Sequence, residues 1–534
     1  MIGNPTQFQA GPFRIMLVLT VLLLFTGFAE AQITTQQALE TTLTMRRQMQ
    51  PADAAPDPIQ EFYAKRNFRP AWSGSRRAED AGTLVVRTLK ESGAHGLRAS
   101  DYDAALSRWE IPPEAGAAAA AYDLSLTEDL LRYARHVRLG RINPSQVYAD
   151  VALPARIFDA AAALNQALED GTLQAFLDDL PPPHREYRSL MAALAHYREI
   201  EEKGGWARLP AKGIDPYLLT QRLSSEDPAL DQLFPGDAEL QQAVTRFQLR
   251  NGLAADGRIG GETLAALNVP VRSRIEQIAA NLERWRWLPR QFEARTIRVN
   301  VPDQTVQYYR GEEALLTSRA AVGKLGSKTP IVRMMALSLT ANPLWEVPDD
   351  IARGQILPKL RQNARYLADN NMVLINGPAG DPHGLTIDWR NLKSFSYRID
   401  QKPGENNAMG NLMLDSPNGF GVYLHDTPGK DVFRPAARQK SNGCIRVEDM
   451  AELSALLVTD DGAASLDRLE QAVASGETER LMLDNPVPVY LLYWTAVAEE
   501  DGAIGFRSDF YGRDKPLTAA LNGERPTALA QTAR

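Results

Sequence analysis

At 534 residues the chain is too long for one ordinary hydrophobic core, so about two to four domains are expected. Its 44% hydrophobic content and its scatter of Trp, Tyr and Phe are those of a globular protein. A formal net charge of -7, with no basic stripe, argues against nucleic acid as a partner.

Near the start, Arg14 precedes the apolar run Ile15 to Phe28, and Ala29-Glu30-Ala31 reads as a small-x-small cleavage site. The run falls short of the about 20 residues a spanning helix needs. Residues 1–31 are therefore expected to be a cleaved signal peptide, with a retained N-terminal anchor, and so a membrane tether, as the alternative. Either way the body is expected outside the inner membrane. Export makes the cysteine content informative, because an oxidising compartment favours even, paired cysteines. This chain has one, Cys444, so no intramolecular disulfide can form. A lone cysteine is usually a small buried hydrophobe, but in an exported chain a single thiol risks oxidation, which directs attention to its surroundings.

Residues 32–60 are polar with scattered Pro and Ala and read as a flexible stalk. From 61 to 211 the pattern is helical. Leu126, Leu130, Leu131, Ala134 and Val137 share one face, Gly140 is a candidate C-terminal cap, and the prolines at 181–183 break helices. This stretch carries no catalytic constellation and reads as a helical scaffold domain. From 212 to 270, Leu240, Val244 and Phe247 stand at helical spacing. A glycine turn (Asp256-Gly257, Gly260-Gly261) follows, then a second short helix through Thr263, Leu264 and Leu267. Phe247-Gln248, Asn251 to Leu253, Asp256-Gly257, Ile259-Gly260 and Thr263 with Leu267-Asn268 resemble the peptidoglycan-binding module. These residues mostly shape the fold, and a plain helical hairpin is the alternative.

After about 296 the period changes to alternation. TIRVNVPDQTVQYYR, ALSLTANPLWEV, FGVYLHDT and PVPVYLLYWTAV read as strands of a mostly β domain over 271–515. ARGQILPKLRQNARYLADNN reads as helix within an insertion at about 349–420, and 516–534 reads as a flexible tail. The fold class is thus multidomain α+β.

The chemistry concentrates in GVYLHDTPGKDVFRPAARQKSNGCIRVED. A strand ends in His425, a polar loop follows, and SNGCIRV brings in Cys444. A thiol attacks acyl groups as thiolate and needs a neighbouring base or cation. His425 can supply that if the loop folds back. Spacing alone leaves a Cys-His dyad and a merely structural histidine both open. Gly443 allows a sharp turn, and amides near Gly443 and Cys444 could hold a tetrahedral oxyanion. The other five histidines lack comparable context, and no His, Asp or Cys spacing suggests zinc, so no metal is expected.

SNGCIR with His425 upstream resembles the signature of the L,D-transpeptidase family. ANLERWRWLP, VGKLGSKTP, NPLWEVP, QKPGENNAMG and FYAKRNFRPAW look like its larger Gram-negative subgroup, with an N-terminal scaffold, a peptidoglycan-binding module and an insertion capping the active site. The resemblance runs from about Phe62 to Asp514. It implies Cys444 as nucleophile paired with His425, with the carbonyl of Asp426 orienting the imidazole. Ser441 and Arg446 would shape the site or meet a substrate carboxylate, a buried salt bridge being the alternative for Arg446. The motif position often held by His is Asn442 here, and Tyr423 and Trp345 are candidates for the donor cleft or for the core. It further implies a periplasmic enzyme without cofactor that acylates Cys444 with the third residue of a tetrapeptide stem. D-alanine is released, and the acyl group passes to the amine of an acceptor stem in a 3→3 cross-link. Transfer to water, to a D-amino acid or to protein, and a non-catalytic wall-binding scaffold, are the alternatives. The same resemblance implies acylation by carbapenems.

Overall fold

The computed structural model describes residues 33–51, 53–227, 229–230, 235–462, 465–499 and 502–524. The expected signal peptide therefore lies outside the described residues, as does 525–534 of the expected tail. The N-terminal part is helical: α1 (Thr35–Gln48), α2 (Pro58–Lys65), α3 (Arg76–Lys90), α4 (Gly116–Leu139), α5 (Ala160–Asp170), α6 (Leu173–Asp179) and α7 (Arg185–Glu202). The apolar stripe from Leu126 to Val137 on α4 is buried as its spacing predicts, and Gly140 ends the helix with φ 98°. The three prolines fall in the break between α6 and α7. Asp123 on α4 gathers the chain before α3. Its buried carboxylate accepts from the amides of Ala71 (2.7 Å) and Trp72 (3.0 Å) and from the Tyr63 hydroxyl (2.7 Å).

The stalk expected over 32–60 is largely helix instead. Thr34 and Gln37 form a capping box at the start of α1, and Leu39 and Leu43 are buried in the scaffold core. Few apolar residues mark α1, so composition concealed a helix that α4 stabilises by packing.

The small module comprises α8 (Pro216–Ser224), α9 (Asp237–Arg250) and α10 (Gly261–Leu267). Gln248 organises its turn: Oε1 accepts from the Gly257 amide (2.8 Å), and Nε2 donates to Asp256 (2.9 Å), the Arg258 carbonyl (2.8 Å) and Thr263 (3.1 Å). The motif residues thus close the turn. Next, α11 (Val271–Arg286) packs along α7 and leads into the β domain.

The scaffold contributes β1 (Val151–Ala152). The β domain supplies β2 (Arg295–Asn300), β3 (Thr305–Arg310), β4 (Glu313–Gly323), β5 (Ile331–Ala341), β6 (Trp345–Glu346), β7 (Met372–Leu374) and β8 (Ile399–Gln401). Then follow β9 (Leu412–Asp415), β10 (Leu424–His425), β11 (Gln439–Ser441), β12 (Ile445–Val447), β13 (Glu479–Leu492), β14 (Ala496–Ala498) and β15 (Ile504–Phe506). The main sheet runs β1-β5-β13-β2-β3-β4-β12-β10-β9. Because β9 also pairs with β5, the sheet closes on itself around Ile297, Val299, Leu339, Leu424, Ile445 and Leu491. β1 joins β5 in parallel, Val151 opposite Ile331, so one strand of the main sheet belongs to the helical N-terminal part.

Between β5 and β9 a lobe stands out with its own sheet, β6-β8-β7, and its own core around Leu360, Leu367, Trp389 and Phe395. Asn407 Nδ2 clamps its base through the carbonyls of Pro343 (3.0 Å) and Lys402 (3.0 Å). The expected bounds of 349–420 therefore shift: β6 begins the lobe at Trp345, and from Leu412 the chain is back in the main sheet. The expected tail is corrected too. Asp514–Leu521 is a helix whose Leu517 and Leu521 are buried beside Trp287, Tyr493 and Tyr511, partners that local sequence does not reveal. No helix among the described residues is long and apolar enough to cross a membrane.

Candidate active site

β10 and β12 are parallel neighbours, with Leu424 opposite Ile445 and His425 opposite Arg446. The ladder extends one residue further back, the Ile445 amide donating to the Tyr423 carbonyl at 2.8 Å. Side chains alternate along a strand. Leu424 and Ile445 face the core and are fully buried, so Tyr423, His425, Cys444 and Arg446 share the opposite face.

His425 is 4% exposed, and its Nδ1 donates to the Asp426 carbonyl at 2.6 Å. That bond leaves Nε2 as the basic nitrogen. Burial, and then the Arg446 charge, push the imidazole pKa down to about 4, against the opposing pull of the Asp426 and Met409 carbonyls. At neutral pH the ring is uncharged and able to accept a proton. The Asp426 carboxylate holds the following loop, accepting from the Asn411 amide (3.1 Å) and Lys430 Nζ (2.7 Å). Gly410 lies against it with φ 65°, and a Cβ there would sit 2.5 Å from Asp426 Oδ2, so only glycine fits.

Cys444 is half-buried, with Sγ 3.9 Å from the Gly421 carbonyl rather than hydrogen-bonded to His425. Burial raises the thiol pKa, while the Tyr423 backbone and the Arg446 charge oppose that rise. Arg446 has no carboxylate within ion-pair distance among the described residues, and its Nε is buried without a hydrogen-bond partner. The buried salt bridge considered for it is therefore not formed among the described residues. What remains is a cation facing the thiol and free to meet an anion. Replacing Arg446 with Gln is expected to raise the midpoint pH of Cys444 alkylation by iodoacetamide by about one unit. His425→Ala should move it far less, since a neutral ring adds no charge. An unchanged midpoint in Arg446→Gln would show that its charge does not reach the sulfur.

The turn before Cys444 departs from one expectation. The Gly443 amide, in a residue with φ 118°, donates to Ser441 Oγ at 3.1 Å, and Ser441 Oγ donates to the Cys444 carbonyl at 2.5 Å. Gly443 is thus not a free oxyanion donor, whereas the Cys444 amide has no acceptor among the described residues. Sequence reasoning also missed Thr329. Its Oγ1 donates to the Gly443 carbonyl (2.8 Å) and accepts from the Gly323 amide (2.9 Å). Its carbonyl accepts from Arg513 Nη2 (3.0 Å), and Arg513 pairs with Asp150, beside β1. The loop carrying the thiol is thereby braced from the scaffold. Only the family-like VGKLGSKTP string pointed toward Thr329.

The lobe reaches the same loop. Gln355 Nε2 donates to Asn442 Oδ1 at 3.3 Å. Tyr423 is half-buried with a raised pKa, caused first by burial and then by the charges of Cys444, Asp415 and the lobe residue Glu346. Trp345 packs against the core of the lobe, so it is support for the lobe in this structure. Among the described residues no group of three or more His, Cys, Asp and Glu is placed to hold a metal.

Buried histidines set an acid limit. His425 and His136 are pushed down to about 4 and His95 to about 3, in each case chiefly by burial. All three would titrate near 6.5 when unfolded, so below that pH the unfolded chain binds more protons. Their stabilising contribution is full above about 6.5 and is lost as pH falls toward 4. The melting temperature is therefore expected to drop between pH 6.5 and 5, and a flat profile there would refute this reading.

Residues 294–468 match the L,D-transpeptidase catalytic domain, 57–194 match a scaffold domain, and 235–267 match the "Putative peptidoglycan binding domain". A Haemophilus influenzae protein described as a "Putative L,D-transpeptidase" is 30% identical over 274 residues, 50% of this chain and 55% of that protein. The chain thus spans about half the length of this curated relative. Among solved structures, a cysteine-to-serine mutant of the Enterococcus faecium L,D-transpeptidase aligns at 12% identity and TM-score 0.19, covering 38% of this chain and 50% of that one. Mycobacterium tuberculosis L,D-transpeptidase 1 aligns at 15% identity and TM-score 0.15, covering 37% and 61%.

Proposed function

Since the chain belongs, through its catalytic domain, to the L,D-transpeptidase family, we propose that it forms 3→3 cross-links in peptidoglycan through a Cys444 thioester. The observation that carries this reading is the single thiol sharing one strand face with a neutral imidazole and a guanidinium that has no carboxylate partner among the described residues. His425 Nε2 takes the thiol proton as the sulfur attacks the carbonyl of the third residue of a donor tetrapeptide. The Cys444 amide meets the developing oxyanion, and Arg446 meets a stem carboxylate. His425 then protonates the departing D-alanine amine. An amine of the acceptor stem attacks the thioester and yields its proton to His425, which returns it to the leaving thiolate. No cofactor enters these steps. The lobe, touching Asn442 through Gln355, supports a role in selecting the amine over water.

The match of the small module to a peptidoglycan-binding domain supports attachment to the wall, and with it a periplasmic location. A cleft of about 700 Å3 lies between α10 and the segment Gly204–Arg208, and it is the natural place to look for glycan contacts.

Incubation with purified tetrapeptide muropeptides, followed by mass spectrometry, tests the reaction. Cross-linked dimer with free D-alanine is expected. Hydrolysed stem without dimer would indicate a carboxypeptidase, and an unchanged substrate would leave a wall-binding scaffold. A carbapenem should add one drug mass at Cys444 only in the native fold and only with His425 present. Equal labelling of wild type, His425→Ala and heat-unfolded protein would reduce this to general thiol reactivity.

A further inference from the structure

A cleft of about 840 Å3 separates α4 from the strand β1 that the scaffold lends to the catalytic sheet, and it lies outside the Cys444 site. Its volume is that of a small-ligand site. Leu131, Leu139, Ile142, Leu153 and Trp287 give it an apolar lining. Arg46, Arg132, Arg135, Arg141 and Arg156 also line it; Arg46 is paired with Asp57 and Glu128, Arg132 with Asp129 and Arg141 with Asp101. Arg135 and Arg156 have no carboxylate within ion-pair distance among the described residues. Arg156 donates to the Arg286 carbonyl at 2.5 Å, and its pKa is pushed down to about 10 by burial and by the like charges of Arg138 and Arg290. Uncompensated positive charge beside an apolar wall favours an anionic occupant.

The remaining wall is backbone. Beyond β1, the lining residues 153–156 have no secondary structure and make no backbone–backbone hydrogen bond. Unpaired amides and carbonyls suit another peptide chain. A phosphate would use the arginines alone. A short carboxylate-bearing peptide uses the arginines, the apolar lining and the backbone groups together.

We propose that this cleft is a second, non-catalytic site for a peptidoglycan stem peptide, gripped by its free carboxylates, a proposal resting on the cell-wall reading above. Holding one stem here while another meets Cys444 keeps the polymer at high effective concentration.

The test uses the full chain and a tetrapeptide stem carrying a diazirine, with labelled peptides mapped by mass spectrometry. Label is expected within 131–156 and should fall at least ten-fold in Arg135→Glu. Arg135→Lys should retain it, and turnover of a small soluble stem should be unaffected in both. A stem with its carboxylates amidated should not label the cleft. Label confined to 421–446, with turnover intact, would overturn the second site and leave the transpeptidase reading standing. Label in the cleft without any turnover would do the reverse. Competition by inorganic phosphate as effective as that by unlabelled stem would also overturn the proposal, because the cleft would then be a simple anion site.

Discussion

Replacing Cys444 with alanine is expected to lower D-alanine release from a tetrapeptide stem by at least about 10^4-fold, the scale on which loss of an enzyme's nucleophile is felt. The chain has no second thiol to substitute. Folding should be spared, because the side chain is half-buried and its contact with the Gly421 carbonyl is long, at 3.9 Å. Cys444→Ser should recover almost nothing: a hydroxyl is far less acidic, and the neutral ring of His425 is a modest base. Chromatographic assay of D-alanine with a matched melting curve checks both. Turnover by the alanine variant within 100-fold of wild type would mean that another group attacks the stem.

Glu283→Ala is expected to cost about 3–5 kcal/mol of stability, the usual penalty for stranding one member of a buried ion pair. Glu283 and Arg286 are both fully buried, 2.6 Å apart on α11, and Glu283 also accepts from the Ile142 amide at 2.7 Å. Arg286 reaches across to Tyr187 at 3.2 Å and to the His95 carbonyl. Removing the carboxylate therefore leaves a buried charge and a half-buried amide at the junction of three segments. The exposed pair Arg319 with Glu448 is the control, and Arg319→Ala should cost under about 1 kcal/mol. Calorimetry of both variants decides it. Equal, small shifts would show that the buried pair does not hold the junction.

What could be read in advance follows from where the physics is local. The stripe on α4 and the β2–β3 hairpin carry their own periodicity, so alternation and helical spacing revealed them. Cys444 and His425 could be considered together because both lie in one short run of sequence. Thr329 could not, being 114 positions from the Gly443 carbonyl it supports. The helix α1 was hidden because Leu39 and Leu43 need a partner helix before they count as a face. The Gly443 amide looked free until the Ser441 hydroxyl, two residues away, proved to fold back onto it. Arg446 is the converse, since its missing partner is visible only once every nearby carboxylate has been located.

Lending β1 to the catalytic sheet has a consequence for anyone cutting this chain apart. A catalytic fragment starting at Val271 would lack Val151 and Ala152 opposite Ile331 and Val332, exposing part of the β5 edge. It would also lack Asp150, the partner of Arg513, which braces Thr329. Such a fragment would be sticky, and its thiol-bearing turn would be loose. Domain-swapped chimeras should then tolerate exchange of 212–270 far better than a junction between 152 and 331. The unit available for transplantation is the scaffold and the catalytic sheet together.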